Sequence, residues 1–285
     1  MDGNLPCVAR TAYPEQMNMA LPTYDNRDAF ASDPVSNALS KVPPVTIAFW
    51  IVKIFATTVG ETGGDALSMT LKLGYAVSTM IFLAFFAVTL IAQVASKHYH
   101  PVIYWLVVVA TTTVGTTTSD YLDRTAGLGY TVSSAFELGL VIVVLIIWRL
   151  TTGAIKVDQI TTRTNEIFYW LTILVSNTLG TALGDFTAET GLGFGGGALV
   201  FAGLLIVVAL LHFFTRIPKS ILFWSAYVLT RPLGATLGDT LTKPLAQGGL
   251  NLSRITSSLV IAVGMVILVA TTSLRKRPTV PTAHP

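Results

Sequence analysis

The strongest constraint on this chain is an internal fourfold repeat. Four segments align without gaps when one tryptophan in each is superposed. An aromatic residue precedes each tryptophan, and a glycine, a small residue and an aspartate follow it at the tenth, fourteenth and fifteenth positions. The aligned residues are Trp50, Trp105, Trp170 and Trp224; Gly60, Gly115, Gly180 and Gly234; and Asp65, Asp120, Asp185 and Asp239. Such a register predicts four copies of one structural unit.

Composition places these copies in a membrane. Apolar residues make up 52% of the 285 residues and charged residues 12%, whereas soluble domains average about 25% charged residues. With a mean hydropathy of +0.65, this composition excludes an ordinary soluble enzyme and a disordered chain. A net charge of +3, with basic residues scattered along the chain, argues against nucleic-acid binding.

Eight apolar runs are long enough to cross a bilayer, which takes about 20 helical residues. They cover residues 44–64, 74–95, 101–121, 130–150, 166–185, 194–214, 219–239 and 253–273. Two runs fall in each repeat, so every repeat enters the membrane from the same side. We therefore predict an all-α membrane protein with eight transmembrane helices, arranged as four parallel two-helix repeats with pseudo-symmetry about the membrane normal.

The repeats define the organisation of the chain. A polar cytoplasmic tail precedes them. This tail is either a plain terminus or a docking element, and one interpretation places a short surface helix at residues 28–41. The boundaries are 1–42 for this tail, 43–100, 101–162, 163–217 and 218–274 for the four repeats, and 275–285 for a cytoplasmic C-terminal tail.

Positive charges set the expected orientation. Nine Lys and Arg residues lie in the C-terminal region and in the loops that follow even-numbered helices. Only four lie in the loops after odd-numbered helices: Lys72, Arg124, Lys243 and Arg254. Both termini are therefore predicted to be cytoplasmic.

The pattern resembles a family of bacterial membrane proteins built from four tandem repeats, each with two membrane segments and a marked tryptophan. The resemblance covers about residues 43–273. It rests on the aromatic-tryptophan pairs, on the run Thr-Val-Gly-Glu-Thr-Gly-Gly-Asp ending at Asp65, and on Gly-Ala-Thr-Leu-Gly-Asp ending at Asp239. The family is functionally uncharacterised, so the resemblance implies the topology and a location in the bacterial cytoplasmic (inner) membrane.

Polar residues in each repeat share one helical face. Positions 3, 7, 11 and 15 after the tryptophan recur at helical spacing. This predicts that odd-numbered helices line the centre and that the aliphatic even-numbered helices face lipid. The four stripes read Lys53, Thr57, Glu61, Asp65; Val108, Thr112, Thr116, Asp120; Ile173, Asn177, Thr181, Asp185; and Tyr227, Arg231, Ala235, Asp239.

The glycines and tryptophans each allow two interpretations. The Gly-x-x-x-small pairs fit close packing of membrane helices better than an unwound, ion-binding segment. In the first repeat, the glycine-rich run Gly60–Gly64 leaves an unwound helical segment as the alternative. The tryptophans fit interfacial anchors better than a stacking surface for substrate.

Four charged residues lie inside apolar runs: Lys53, Glu61, Glu137 and Arg231. A charge at the bilayer centre costs at least about 2.5–3.5 kcal/mol, so such groups pair or line a wet cavity. Candidate pairs are Glu61 with Arg231, and Lys53 with a carboxylate. Lys53, Arg231 and Glu137 are predicted to be gating or ion-pair residues.

The chemistry of the central face favours a hard cation. Its carboxylates outnumber Lys53 and Arg231, and carboxylate, hydroxyl and carbonyl oxygens suit manganese, calcium, magnesium or protons. The single Cys7 and four peripheral histidines disfavour zinc. The Glu61–Asp65 run also resembles the Glu-x-Gly-Asp motif of small cation/proton exchangers. The predicted binding residues are Glu61, Asp65, Asp120, Asp185 and Asp239, which are also the candidate metal ligands, with Thr57, Thr112 and Asn177.

The leading functional prediction is a secondary transporter or exporter of a small cation, coupled to protons. One alternative is a membrane scaffold or sensor that acts through its N-terminal tail. Another is an anion or organic-solute transporter that uses Lys53 and Arg231. No catalytic or dinucleotide motif appears, so neither enzymatic activity nor a resident cofactor is predicted. The expected partners are the bilayer and a small cation, and either a single chain or a homodimer is the functional unit.

Overall fold

The computed structural model describes residues 41–96, 98–153, 155 and 162–274. Residues 1–40 and 275–285 lie outside this part, and with them the predicted tails and the surface helix at 28–41. Within the described ranges the chain is all-helical and contains no β-strand.

Eight α-helices make up the described fold. They are α1 Ile47–Asp65, α2 Gly74–Ala95, α3 Pro101–Asp120, α4 Gly129–Thr152, α5 Arg163–Thr187, α6 Gly193–Phe214, α7 Lys219–Thr242 and α8 Arg254–Leu274. Each coincides with one predicted apolar run to within a few residues. The π-helical turns Ala66–Thr70, Tyr121–Thr125 and Ala188–Leu192 follow α1, α3 and α5, and the 3-10 turn Leu245–Gln247 follows α7.

Local sequence signals set the ends of these helices. The Thr46 hydroxyl accepts a hydrogen bond from the Phe49 amide at the start of α1, and Thr162 caps α5 in the same way. Three even-numbered helices begin at a glycine with positive φ: Gly74 (75°), Gly129 (70°) and Gly193 (64°). A residue with a Cβ is strained in that conformation. An aromatic residue follows each of these glycines, and we call Gly74-Tyr75, Gly129-Tyr130 and Gly193-Phe194 the repeated Gly-aromatic pair.

Five helical segments of the described residues are long and apolar enough to cross a membrane. They are Gly74–Ala95, Pro101–Thr125, Gly129–Thr152, Arg163–Phe214 and Arg254–Ser273. The fourth is long enough to contain both α5 and α6. The remaining helices, α1 and α7, carry Lys53, Glu61 and Arg231 in their buried parts, and these charged residues lower their hydropathy.

The odd-numbered helices form a closed inner ring. Helix α1 packs against α3, α3 against α5, α5 against α7, and α7 against α1. Each even-numbered helix lies outside, mainly against the inner helix of the next repeat: α2 on α3, α4 on α5, α6 on α7 and α8 on α1. The outer helices expose large apolar side chains such as Met80, Leu199 and Val266. In the described part of the chain, the odd-numbered helices contact one another and the even-numbered helices pack on their outer side.

An aromatic girdle joins the four repeats near the start of the inner helices. The aromatic residue before each tryptophan contacts the tryptophan of the next repeat. The ring-centroid distances are 5.6 Å for Phe49–Trp105, 5.4 Å for Tyr104–Trp170, 6.1 Å for Tyr169–Trp224 and 5.7 Å for Phe223–Trp50. Trp105 and Trp170 are 6% and 1% exposed. The prediction of interfacial anchors is therefore wrong for these two, because each packs inside the girdle.

Candidate functional site

The repeated glycines set how closely the inner helices approach. A Cβ on Gly60 would overlap Thr112, one on Gly180 would overlap Arg231, and one on Gly234 would overlap Thr57. A Cβ on Gly115 would lie 3.0 Å from the backbone of Asn177. In every case the residue that the Cβ would meet lies seven positions after the tryptophan of the neighbouring repeat. The packing interpretation is confirmed, and α1 stays helical through Gly60–Gly64.

Polar side chains at that seventh position bond across the helix interfaces. The Thr57 hydroxyl donates to the Thr230 carbonyl at 3.2 Å, and the Thr112 hydroxyl donates to the Ala56 carbonyl at 3.2 Å. The Asn177 amide donates to the Thr111 hydroxyl at 3.0 Å. The predicted ligands Thr57, Thr112 and Asn177 thus hold the ring together in this structure.

Arg231 occupies the seventh position of the fourth repeat and reaches toward three other repeats. Its Nη2 lies 3.1 Å from Oε2 of Glu61 and donates to the hydroxyls of Thr116 and Thr181, each at 2.6 Å. The Thr116 hydroxyl also donates to Glu61 Oε2 at 3.2 Å. The predicted Glu61–Arg231 ion pair is therefore present, fully inside the ring.

Two other predicted charge partnerships are corrected. Lys53 has no carboxylate partner in the described part of the chain. Its Nζ lies 4.3 Å from the ring centroid of Tyr227, because the equivalent stripe position of the adjoining repeat holds that aromatic residue. Glu137 has no basic partner among the described residues either. It lies on the outer helix α4, where its Oε1 accepts a hydrogen bond from Ser133 at 3.2 Å.

The four aspartates pair with basic residues that the topology predicts to lie in loops. Nη2 of Arg124 lies 3.3 Å from Asp120 and 2.9 Å from Asp185. This guanidinium therefore bridges the aspartates of the second and third repeats. The central carboxylates thus have a basic partner besides Lys53 and Arg231.

The same arrangement recurs between the fourth and first repeats. Nζ of Lys243 lies 3.1 Å from both Asp239 and Asp65, and Nε of Arg254 lies 3.4 Å from Asp65. Lys243 and Arg124 occupy the same position, nineteen residues after their tryptophans and four after their aspartates. That shared spacing is the signal that would have identified them.

Aromatic side chains from the outer helices cover these bridges. Arg124 donates to the hydroxyl of Tyr75 at 2.9 Å and to that of Tyr130 at 3.3 Å. The ring of Phe194 lies 6.0 Å from Nζ of Lys243. The repeated Gly-aromatic pair thus positions a ring beside the four aspartates. We call Asp65, Asp120, Asp185 and Asp239 the aspartate layer.

Three carboxylates converge beneath this cover. Glu61, Asp65 and Asp120 are buried, and one oxygen of each lies within 4.8 Å of the other two. Among the described residues, Asp65 Oδ1 and Asp120 Oδ2 have neither a hydrogen-bond nor an ion-pair partner, whereas Asp120 Oδ1 faces Arg124. We call these residues the carboxylate trio. Oxygen ligands from separate helices at this spacing suit a hard cation, whereas Asp185 and Asp239 belong to the layer through Arg124 and Lys243.

Comparison with known proteins agrees with the fourfold register. No curated protein and no solved structure matches this chain. A family model described as Repeat of Unknown Function (DUF347) matches residues 48–99, 103–154, 168–217 and 222–278. Each match contains one inner and one outer helix. The chain therefore belongs to the DUF347 family and consists mostly of four tandem copies of its repeat.

Proposed function

We propose that the chain crosses the bacterial cytoplasmic membrane eight times, with the four repeats related by a pseudo-fourfold axis along the membrane normal. The cyclic order of the glycine, aromatic and ion-pair contacts supports this arrangement. So does the apolar surface of the outer helices, because lipid offers polar groups no partner. A ring that closes on itself also favours one chain, rather than a homodimer, as the functional unit.

Both termini are proposed to face the cytoplasm. Of the four basic residues assigned to the opposite side, Arg124, Lys243 and Arg254 form ion pairs with aspartates. These aspartates offset much of the positive charge on that side, so the bias of basic residues toward the side of the termini is stronger than the counts of nine and four alone. This asymmetry supports the orientation.

The proposed activity is secondary transport of a small cation through the ring, with manganese, calcium and magnesium as the first candidates. The convergence of Glu61, Asp65 and Asp120 carries this proposal. Their oxygens are hard ligands. Oδ1 of Asp65 and Oδ2 of Asp120 have no hydrogen-bond or ion-pair partner among the described residues and are available to an ion. Asp185 and Asp239 complete the acidic layer as partners of its resident basic groups.

Arg124, Lys243 and Arg254 act in this proposal as tethered counter-ions. A cation that enters the carboxylate trio competes with Lys243 and Arg254 for Asp65. Within the trio, Glu61 lies one helical turn deeper than Asp65 and also pairs with Arg231. It is therefore the proposed carrier of the ion or the coupled proton, and Arg231, with Lys53 below it, gates passage toward the cytoplasm.

Cation binding and flux test the proposal. Thermal unfolding of the purified full chain is measured across mono- and divalent cations at two pH values, because a ligand of the folded state raises stability. Flux is then measured in proteoliposomes that contain a cation-sensitive dye and a pH-sensitive dye. We expect selective stabilisation by a divalent cation and flux accompanied by proton counter-movement.

Asp120→Asn and Asp185→Asn form a matched pair for this test. Both changes remove a carboxylate that pairs with Arg124, but only Asp120 belongs to the carboxylate trio. Asp120→Asn and Asp65→Asn should abolish cation stabilisation, whereas Asp185→Asn should retain it. Equal cation binding in folded Asp65→Asn and wild type would exclude the carboxylate trio as the site.

A further inference from the structure

The buried polar groups below the aspartate layer are hydrogen-bond donors, whereas those in the layer are acceptors. In that layer the buried atoms without hydrogen-bond partners are all carboxylate oxygens, from Asp65, Asp120, Asp185 and Asp239. Deeper in the ring they are Nζ of Lys53, Nε and Nη1 of Arg231, and the Tyr227 hydroxyl. The deeper set consists of hydrogen-bond donors and includes two cationic groups.

These donors lie close together. Tyr227 and Arg231 are four residues apart on α7 and therefore share one helical face. Lys53 lies over the Tyr227 ring at 4.3 Å, and its helix meets α7 through the hydrogen bond from Thr57 to Thr230. All three side chains are fully buried.

The ion pairs at this level leave one basic group without a partner. Lys53 and Arg231 are two positive groups, and Glu61 is the one carboxylate that pairs with them among the described residues. The outer-ring neighbours supply no further ion pair among the described residues. Helix α8, which packs on α1, carries Arg254 as its one charged residue and places it at the aspartate layer, and Glu137 on α4 interacts with Arg231 electrostatically but forms no ion pair with it. Tyr104 and Tyr169, on α3 and α5, bond to each other through their hydroxyls. Lys53 is thus left without an ion-pair partner in a region where an unpaired charge is costly.

We propose that the full chain binds one small monovalent anion between Lys53 and Arg231. A halide or a small carboxylate accepts hydrogen bonds from Nζ of Lys53, from Nε or Nη1 of Arg231, and from the Tyr227 hydroxyl. It supplies the ion-pair partner that Lys53 lacks among the described residues. The Glu61–Arg231 pair then separates a cation site above from an anion site below. This inference does not depend on cation transport.

Anion-dependent stability tests the site. Thermal unfolding of the purified full chain is followed at fixed pH, sodium concentration and ionic strength while gluconate is replaced by chloride, bromide, nitrate or formate. We expect saturable stabilisation by the small anions. A preference for halides would identify an inorganic ion, and a preference for formate would identify the carboxylate of a substrate.

Variants distinguish the site from a general salt effect. Lys53→Met should remove the anion dependence, and Tyr227→Phe should weaken anion affinity by about tenfold because one hydrogen bond is lost. Lys41→Met is the matched control, since Lys41 pairs with Glu166 elsewhere in the fold, and it should retain the full dependence.

A direct measurement covers the case in which Lys53→Met does not fold. Chloride-35 line broadening by wild type should fall on addition of bromide and should be weaker for Tyr227→Phe. Identical unfolding midpoints in gluconate and chloride, or anion dependence that survives in Lys53→Met, would overturn the proposal. So would absence of line broadening by wild type.

Discussion

Gly234 on the last inner helix lies against Thr57 on the first, with no room for a side chain between them. The Thr57 hydroxyl also bonds to the Thr230 carbonyl at 3.2 Å across the same interface. This contact closes the ring. The fourth repeat therefore meets the first through the same glycine contact that joins the other neighbouring repeats.

Gly234→Ala is expected to destabilise the protein strongly. Its Cβ would overlap both the side chain and the backbone of Thr57, so α1 and α7 must separate. Overpacking of this kind costs about 1–3 kcal/mol. Gly203→Ala is the control, because no atom lies near the new Cβ on the outer helix α6, and it should be neutral or stabilising. Chemical unfolding in detergent measures both changes, and equal effects would contradict the packing argument.

The Glu61–Arg231 pair should show strong coupling in a double-mutant cycle. Removing one member of a buried ion pair leaves an uncompensated charge and costs about 3–5 kcal/mol. Arg231→Met and Glu61→Gln should each lower the unfolding free energy. The sum of these two losses should exceed the loss measured for the double variant, in which neither charge is left unpaired. Unfolding free energies of all four proteins give the coupling. Additive effects would show that the two groups do not interact.

Lys243→Met should increase cation affinity at the carboxylate trio. Lys243 Nζ lies 3.1 Å from Asp65, so it competes with an entering cation. Removing this competitor should tighten binding by about tenfold, equivalent to about 1.4 kcal/mol. Calorimetric titration with the preferred divalent cation measures the change. Lys41→Met should leave affinity unaltered, and unchanged affinity in Lys243→Met would refute the competition.

The Lys243 bridge should persist into alkaline solution. Burial alone lowers the pKa of Lys243, but the carboxylates of Asp239 and Asp65 more than offset this and hold its pKa well above the usual value. A raised folded-state pKa gives a stabilising contribution that is complete below the unfolded pKa, about 10.4, and is lost only above it. The stability difference between wild type and Lys243→Met should thus stay constant from neutral pH to about 10.4. A decline well below that pH would contradict the assignment.

Helix positions and the inner ring could be predicted from the sequence because they follow from local periodicity. The stripe through Glu61 and Asp65 has helical spacing, and four superposed copies indicate which face is shared. The Glu61–Arg231 pair could be predicted because both charges interrupt apolar runs.

The partners of the aspartates could not be obtained by the same reasoning. Arg124 and Lys243 follow their helices and look like loop charges when counted by topology alone. Their side chains turn back onto Asp120 and Asp239 because those residues lie four positions earlier. The neighbour of Lys53 could not be predicted from the sequence because Tyr227 lies in the fourth repeat, 174 positions further along the chain.

The placement of each outer helix on the next repeat has a consequence for synthesis. Helix α1 emerges first, yet two of its packing partners, α7 and α8, are made last. Until the final hairpin inserts, Glu61 lacks Arg231, and Asp65 lacks Lys243 and Arg254. The nascent first helix must therefore hold its acidic residues without their partners, and the chain can neutralise them only when its end returns to its beginning.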